Sequence, residues 1–225
     1  MSGRPPRDAG GGALDAARAE LVRYGRRMVR EGLAFGTAGN LSVRVGDVVA
    51  ITPSGTPYDL VAPEDVCIVG LDGAKHAGRG VVSSEWPMHR AVYATTDAAA
   101  VVHTHSPEVV ALSASCAELP AVHYAIVGLG GPVRVAEYTR FGSDRLAEHA
   151  SAALAGRTAA ILQNHGAVTY GATLGEAYER AGLLEWLAGT YRRARQHGSP
   201  RILTTDELDD VRAETSRIGY GRTVS

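Results

Sequence analysis

The run Ala98-Ala99-Ala100-Val101-Val102 passes straight into His103-Thr104-His105 and then into Ser106-Pro107-Glu108. That order leaves the chain few local options. A short apolar run of this kind reads as a buried strand, and Ser-Pro-Glu reads as an N-cap, a proline at the first helical position and an acid in the first turn. Side chains two apart on a strand point to the same face, so His103 and His105 can share one ion at a strand end. Leu162-Gln163-Asn164-His165-Gly166 follows a second apolar run, 158–162, and places His165 in the same kind of strand-edge setting. Three neutral imidazoles with an open fourth position make a catalytic rather than a structural zinc site. His76, His89, His123, His149 and His197 lack that setting and read as surface or core residues.

At 225 residues, 45% hydrophobic and 21% charged, the chain can build one large domain or two small ones. No proline-, serine- or charge-rich linker interrupts it after Ala13, so we expect a flexible N-terminal tail over 1–12 and a single domain over 13–225. A net charge of −1 offers no electrostatic footprint for nucleic acid or an anionic membrane. No apolar stretch approaches the roughly 18 residues of a membrane span, and residues 1–12 lack the apolar centre of a signal peptide. Cys67 and Cys116 provide neither a disulfide framework nor a cysteine-rich zinc motif, which fits a reducing cytoplasm.

Helical spacing of Ala17, Leu21, Tyr24 and Met28 predicts an amphipathic helix over 15–31, stopped by Gly32. Further helices are expected over 84–94, 143–154 and 174–196, and a last one behind the capping-box string Thr204-Thr205-Asp206-Glu207. Segments 41–45 and 48–52 flank a Gly46-Asp47 turn, and 66–71 precedes Asp72-Gly73, so antiparallel hairpins are expected. Helices scattered among hairpins predict an α/β chain of three αβα layers, with a central, mostly antiparallel sheet covered on both faces.

Three loops carry candidate chemistry. Gly36-Thr37-Ala38-Gly39-Asn40-Leu41-Ser42 and Thr52-Pro53-Ser54-Gly55-Thr56-Pro57 are rich in small residues and hydroxyls. Such loops bring backbone amides close to an anion without formal positive charge, and ordinary turn chemistry favours the same composition. In Ser83-Ser84-Glu85-Trp86, the serines and the start of the next helix can meet an anion. Glu85 is either an acid comfortable in a first turn or a carboxylate beside the metal.

Taken in order, these strings, together with Pro120-Ala121-Val122-His123-Tyr124, resemble the class II aldolase/adducin family, most of all its L-fuculose-1-phosphate aldolase branch. The resemblance spans residues 36–166. It implies that His103, His105 and His165 bind Zn2+ (or Mn2+ or Co2+), with Glu85 alternating between metal ligand and acid/base. It implies that Asn40, Ser54, Gly55, Ser83 and Ser84 hold a substrate phosphate. Tyr124 matches a tyrosine supplied by a neighbouring subunit to act on the aldehyde oxygen, Phe141 an aromatic lining that region, and Tyr220 a tyrosine on a closing C-terminal segment. The implied protein is a cytoplasmic homotetramer with sites shared between subunits. Its implied reaction is reversible cleavage of a ketose 1-phosphate, such as L-fuculose 1-phosphate or a 5-deoxypentulose 1-phosphate, to dihydroxyacetone phosphate and a short aldehyde such as L-lactaldehyde.

Alternatives within the family are a pentulose-phosphate 4-epimerase, a methylthioribulose-1-phosphate dehydratase and a non-catalytic adducin-like interaction module. Thr104 and Ser106 resemble the epimerases, whereas Glu85 and Tyr124 stand where those typically carry aspartates and so favour the aldolase. An interaction module has no need of the full metal and acid/base set. Lys75, the single lysine, falls in a polar turn, which argues against imine chemistry.

Overall fold

A computed structural model describes residues 11–219 of the chain. The described strands are β1 (Asn40–Val45), β2 (Val48–Ile51), β3 (Cys67–Gly70), β4 (Lys75–Ala77), β5 (Ala100–Thr104), β6 (Glu118–Leu119), β7 (Val133–Ala136), β8 (Ala159–Leu162) and β9 (Gly166–Gly171). The helices are α1 (Gly11–Arg30), α2 (Trp86–Thr95), α3 (Pro107–Ser113), α4 (Asp144–Leu154), α5 (Leu174–Gln196) and α6 (Thr205–Ile218). One nine-stranded sheet runs in the order β4-β3-β2-β1-β5-β9-β8-β7-β6. Its pairings are antiparallel except β7 with β8, so the expected mostly antiparallel αβα architecture is the one formed.

Period-two alternation decides which helices each strand faces. Ala100 and Val102 of β5 pack with Leu21 and Met28 of α1 and Tyr178 of α5, whereas Val101 packs with Met88 and Val92 of α2 and Leu146 of α4. In β2, Ala50 faces the first group and Val49 and Ile51 the second. Fully burying one such aliphatic side chain contributes about 1.5–3 kcal/mol. Both faces of the central strands therefore carry a core, and β5 is locked in the middle of the sheet.

Three local expectations change. Helix α1 begins at Gly11 rather than residue 15, inside the segment expected to be a tail, because Leu14 packs on the core and draws the first turn in. Helix α2 begins at Trp86, with Glu85 at the N-cap and its side chain turned away from the helix. Ser106 does occupy the α3 N-cap, but its hydroxyl makes no cap bond. The Glu185 carboxylate of α5 instead accepts from the amides of Glu108 and Val109, each at 2.9 Å. A charged acceptor on a packed neighbouring helix outcompetes a neutral hydroxyl there. Strands β6 and β7 and the 3-10 turn Tyr124–Leu129 had no clear sequence signal. No helix among the described residues is long and apolar enough to cross a membrane.

The loop before β1 is held tightly against β5. Gly39 has φ +76°, its carbonyl accepts from Tyr58 Oη at 2.7 Å, and a Cβ there would lie 2.7 Å from the His103 carbonyl oxygen. Gly32 has φ +75° but open space around it. Gly39→Ala is therefore expected to cost more stability than Gly32→Ala, adding a backbone clash to a strain of about 1–3 kcal/mol. Urea unfolding of the two variants measures the difference, and equal losses would contradict the close approach.

Candidate active site

Pairing in the sheet assembles the site. His103 sits opposite Asn40 of β1 on one side and Val168 of β9 on the other. His105 lies just past the strand end, where its amide donates to the Leu33 carbonyl at 2.9 Å. His165 belongs to the tight β8–β9 turn, in which Asn164 adopts φ 52° and the His165 amide donates to Leu162 O at 3.1 Å. A Cβ on Gly166 would meet the Thr104 carbonyl oxygen at 2.1 Å, so glycine is required for that turn to press against β5. Glu85 enters from the α2 N-terminus.

The four side chains converge. One ligand atom from each of Glu85, His103, His105 and His165 lies within 4.8 Å of the other three. His103 Nδ1 donates to the Ala167 carbonyl at 2.9 Å, which leaves Nε2 directed at the cluster. His103 Nε2 and His105 Nε2 stand 2.9 Å apart, and Glu85 Oε2 lies 2.8 Å from His103 Nε2. Glu85 Oε1 is buried 3.3 Å from His165 Nε2, yet makes no hydrogen bond. Lone pairs facing one another at such distances need a cation between them. Three imidazoles and a carboxylate with an orphaned oxygen form a donor set that fits a divalent metal.

Charge in the cluster follows from burial and proximity. Burial works against the Glu85 carboxylate, but His103, His165 and the Asn40 amide outweigh it and hold the group well below the usual carboxylate range. Burial, reinforced by neighbouring His103, brings His105 down to about 3 and His165 to about 4. Burial also opposes a charge on His103, yet Glu85 and the Ala167 carbonyl raise its pKa above the ordinary imidazole value. Glu85 Oε2 and His103 Nε2, 2.8 Å apart, thus favour each other's charged forms.

A cavity of about 370 Å³ opens over the cluster, within the range of small-ligand sites. Asn40, Ser54, Gly55 and Ser84 line it together with Glu85, His105 and His165. Ser83 lies behind this wall: it is buried, and its hydroxyl accepts from the Glu85 amide at 3.3 Å. Phe141 and Tyr138 stand at the rim, each more than half exposed. Tyr124 is not brought to the cluster of its own chain. It is 53% exposed beside His123, on the groove formed by α5 and α6. Tyr220 lies outside the described residues. Lys75 is exposed on β4 with its ammonium donating to the Gly80 carbonyl at 2.6 Å, away from the cavity.

One part of the site escaped the sequence. His89 reads as an ordinary core or surface histidine, but it is fully buried directly beneath the cluster. Its Nε2 lies 2.5 Å from Asn40 Oδ1 and its Nδ1 lies 2.7 Å from Ser42 Oγ, which in turn is 2.7 Å from Tyr93 Oη. Burial and the charge of His103 depress the His89 pKa to about 3. The available signal was spacing: Glu85, His89 and Tyr93 recur every fourth residue on one helix face, and Asn40 and Ser42 share one strand face.

Residues 19–192 match the sequence profile of the class II aldolase and adducin N-terminal domain. The 5-deoxy-D-ribulose 1-phosphate aldolase of Bacillus thuringiensis serovar kurstaki is 38% identical over 212 residues, covering 93% of this chain and 99% of its own. A 5-methylthioribulose-1-phosphate/5-deoxyribulose-1-phosphate aldolase of Rhodospirillum rubrum is 40% identical, covering 89% of this chain and 91% of its own. Among solved structures, an L-fuculose 1-phosphate aldolase superposes with a TM-score of 0.85 at 36% identity, over 90% of this chain and 96% of that one. The chain therefore belongs to the class II aldolase/adducin family. In this chain Glu85, His103, His105 and His165 form a group that could hold a metal ion. Within the family, this chain is a class II aldolase, a carbon–carbon lyase.

Metal uptake has a defined pH dependence. Near neutrality Glu85, His105 and His165 are already deprotonated, so His103 is the ligand whose proton must leave. Because its pKa is raised, affinity is full above that value and falls by about tenfold per pH unit below it. Calorimetric titration of metal-stripped protein with Zn2+ across pH tests this; an affinity independent of pH down to 5 would refute it.

Proposed function

We propose that this aldolase reversibly cleaves a 5-deoxypentulose 1-phosphate, or the related L-fuculose 1-phosphate, to dihydroxyacetone phosphate and a short aldehyde, using Zn2+ held by His103, His105 and His165. The observation that carries the reading is the buried Glu85 Oε1, unpaired among three imidazoles on the floor of a cavity whose wall is Ser54, Gly55 and Ser84. The pentulose is favoured because relatives bearing 5-deoxyribulose 1-phosphate in their names match this chain along nine-tenths of its length.

A metal bound there supplies electrophilic stabilisation of the negative charge that develops on the ketone fragment as the C3–C4 bond breaks. The protein groups divide the remaining work. Backbone amides and hydroxyls of Ser54, Gly55 and Ser84, with the second amide hydrogen of Asn40 and the buried Ser83 shaping the wall, hold the phosphate and so fix C1 to C3. In the condensation direction the Glu85 carboxylate takes a proton from the hydroxymethyl carbon of dihydroxyacetone phosphate, the ketose C3, and in cleavage the carboxylic acid so formed returns it there. Tyr124, exposed on its own subunit, reaches the site of a neighbour and takes the C4 hydroxyl proton during cleavage. Phe141 at the rim packs against the departing aldehyde. A homotetramer with shared sites meets the demand for a tyrosine from a neighbouring chain, and the free thiols of Cys67 and Cys116 suit the cytoplasm.

The two proton-transfer groups can be separated. Glu85→Gln should abolish exchange of the hydroxymethyl hydrogen of dihydroxyacetone phosphate (the ketose C3 position) with D2O, followed by NMR, with the metal still bound. Tyr124→Phe should retain that exchange while slowing cleavage by about 10²–10⁴-fold. Exchange at the wild-type rate in Glu85→Gln would sink the assignment. Comparing kcat/KM for 5-deoxyribulose 1-phosphate and L-fuculose 1-phosphate, by coupled detection of dihydroxyacetone phosphate, should give the higher value for the pentulose. No release of dihydroxyacetone phosphate from either sugar would overturn the substrate class.

A further inference from the structure

Five side chains beneath the cavity form one continuous hydrogen-bonded line: Tyr93, Ser42, His89, Asn40 and Glu85. All five are buried. The direction of every bond in the line follows from one fact, that an ionised carboxylate only accepts. Asn40 must therefore turn its Nδ2 to Glu85 Oε2, the contact seen at 3.1 Å, and its Oδ1 to His89. An amide oxygen also only accepts, so His89 must carry its hydrogen on Nε2. Nδ1 is then a bare acceptor, so the Ser42 hydroxyl donates to it and accepts from Tyr93 Oη. No member of the line has a free choice of orientation once Glu85 is charged.

This order makes the two oxygens of Glu85 unequal. Oε2 receives the amide hydrogen of Asn40 and lies against His103. Oε1 receives no hydrogen bond. We propose that His89 is a positioning residue which, by presenting Nε2–H to Asn40, fixes the Asn40 amide, anchors Oε2 and reserves Oε1 of Glu85 as the oxygen that exchanges the substrate proton. The inference rests on the reading of Glu85 as the acid/base. Without the His89 donor, Asn40 Oδ1 is an unpaired buried acceptor, and flipping the amide to find a partner would aim an oxygen at a carboxylate. Either result leaves Glu85 free to turn and lets both oxygens compete for the metal and the proton.

Two measurements test this on the full-length, zinc-loaded protein. With histidine labelled in 15N, His89 is expected as the neutral Nε2–H tautomer, its signals identified by their loss in His89→Gln. An Nδ1–H tautomer would overturn the proposal, and the wild-type protein suffices for that result. For the variants, Gln places an amide N–H near the position of Nε2 and Leu offers no donor. His89→Leu should slow exchange of the hydroxymethyl hydrogen of dihydroxyacetone phosphate by about 10–100-fold, through kcat rather than KM and with zinc content unchanged. His89→Gln should recover most of that loss. A structural role alone predicts equal impairment of both variants, and a His89→Gln as slow as His89→Leu would overturn the inference. Failure of the underlying reading has a different signature, wild-type exchange in Glu85→Gln, and would overturn both.

Discussion

Pairing of β5 with β1 on one side and β9 on the other is the interaction on which the rest of the structure depends. It buries a strand on both faces and delivers the end of that strand, with His103, to the point where two loops close in. The closeness is set by absent side chains. Gly39 and Gly166 approach the carbonyl oxygens of His103 and Thr104 so nearly that a Cβ on either would collide with them. Through those contacts the 36–42 loop brings Asn40 and the β8–β9 turn brings His165, so a group that could hold a metal gathers residues as far apart in the chain as Glu85 and His165 without any one loop having to supply it.

The site is also an exercise in holding charge where burial opposes it. A lone buried carboxylate would be neutral, and a lone buried imidazole likewise. Here they compensate one another: His103, His165 and Asn40 keep the Glu85 pKa low despite burial, and Glu85, 2.8 Å away, raises that of His103 against burial. A divalent ion held by the same residues would compete with any proton on them, which would link metal binding to proton release. The same ionised carboxylate sets the polarity of the Asn40–His89–Ser42–Tyr93 line below it. Chemistry above and hydrogen-bond order below therefore share one residue.

Tyr124 stands apart from the histidine and glutamate cluster of this chain. It packs beside His123, which in turn meets Trp186 edge-on, and is half exposed on the groove lined by α5 and α6. An exposed aromatic with a hydroxyl, next to a rigid 3-10 turn, is well placed to be presented outward. The cavity in one chain contains the ligands, the carboxylate and the loops, and its open rim is where an outside group would arrive.

Much was legible from the sequence because it is encoded locally. Strand alternation and the His-x-His string set two imidazoles on one face, Gly and capping residues marked the helix ends near Gly32, Leu154 and Thr204, and the ordered loops carried the family resemblance. Glu85 was recognisable as a carboxylate at a helix start, and the family resemblance set it beside the three histidines; its seat at the α2 N-cap came only with the tertiary structure. What only the tertiary structure decided are relations between distant segments: Glu185 capping α3, Tyr58 clamping Gly39, and His89 joining Ser42 to Asn40. Periodicity reports which face a side chain occupies, but a hydrogen bond depends on what stands opposite, and that is fixed only when β1, β5 and α2 pack together.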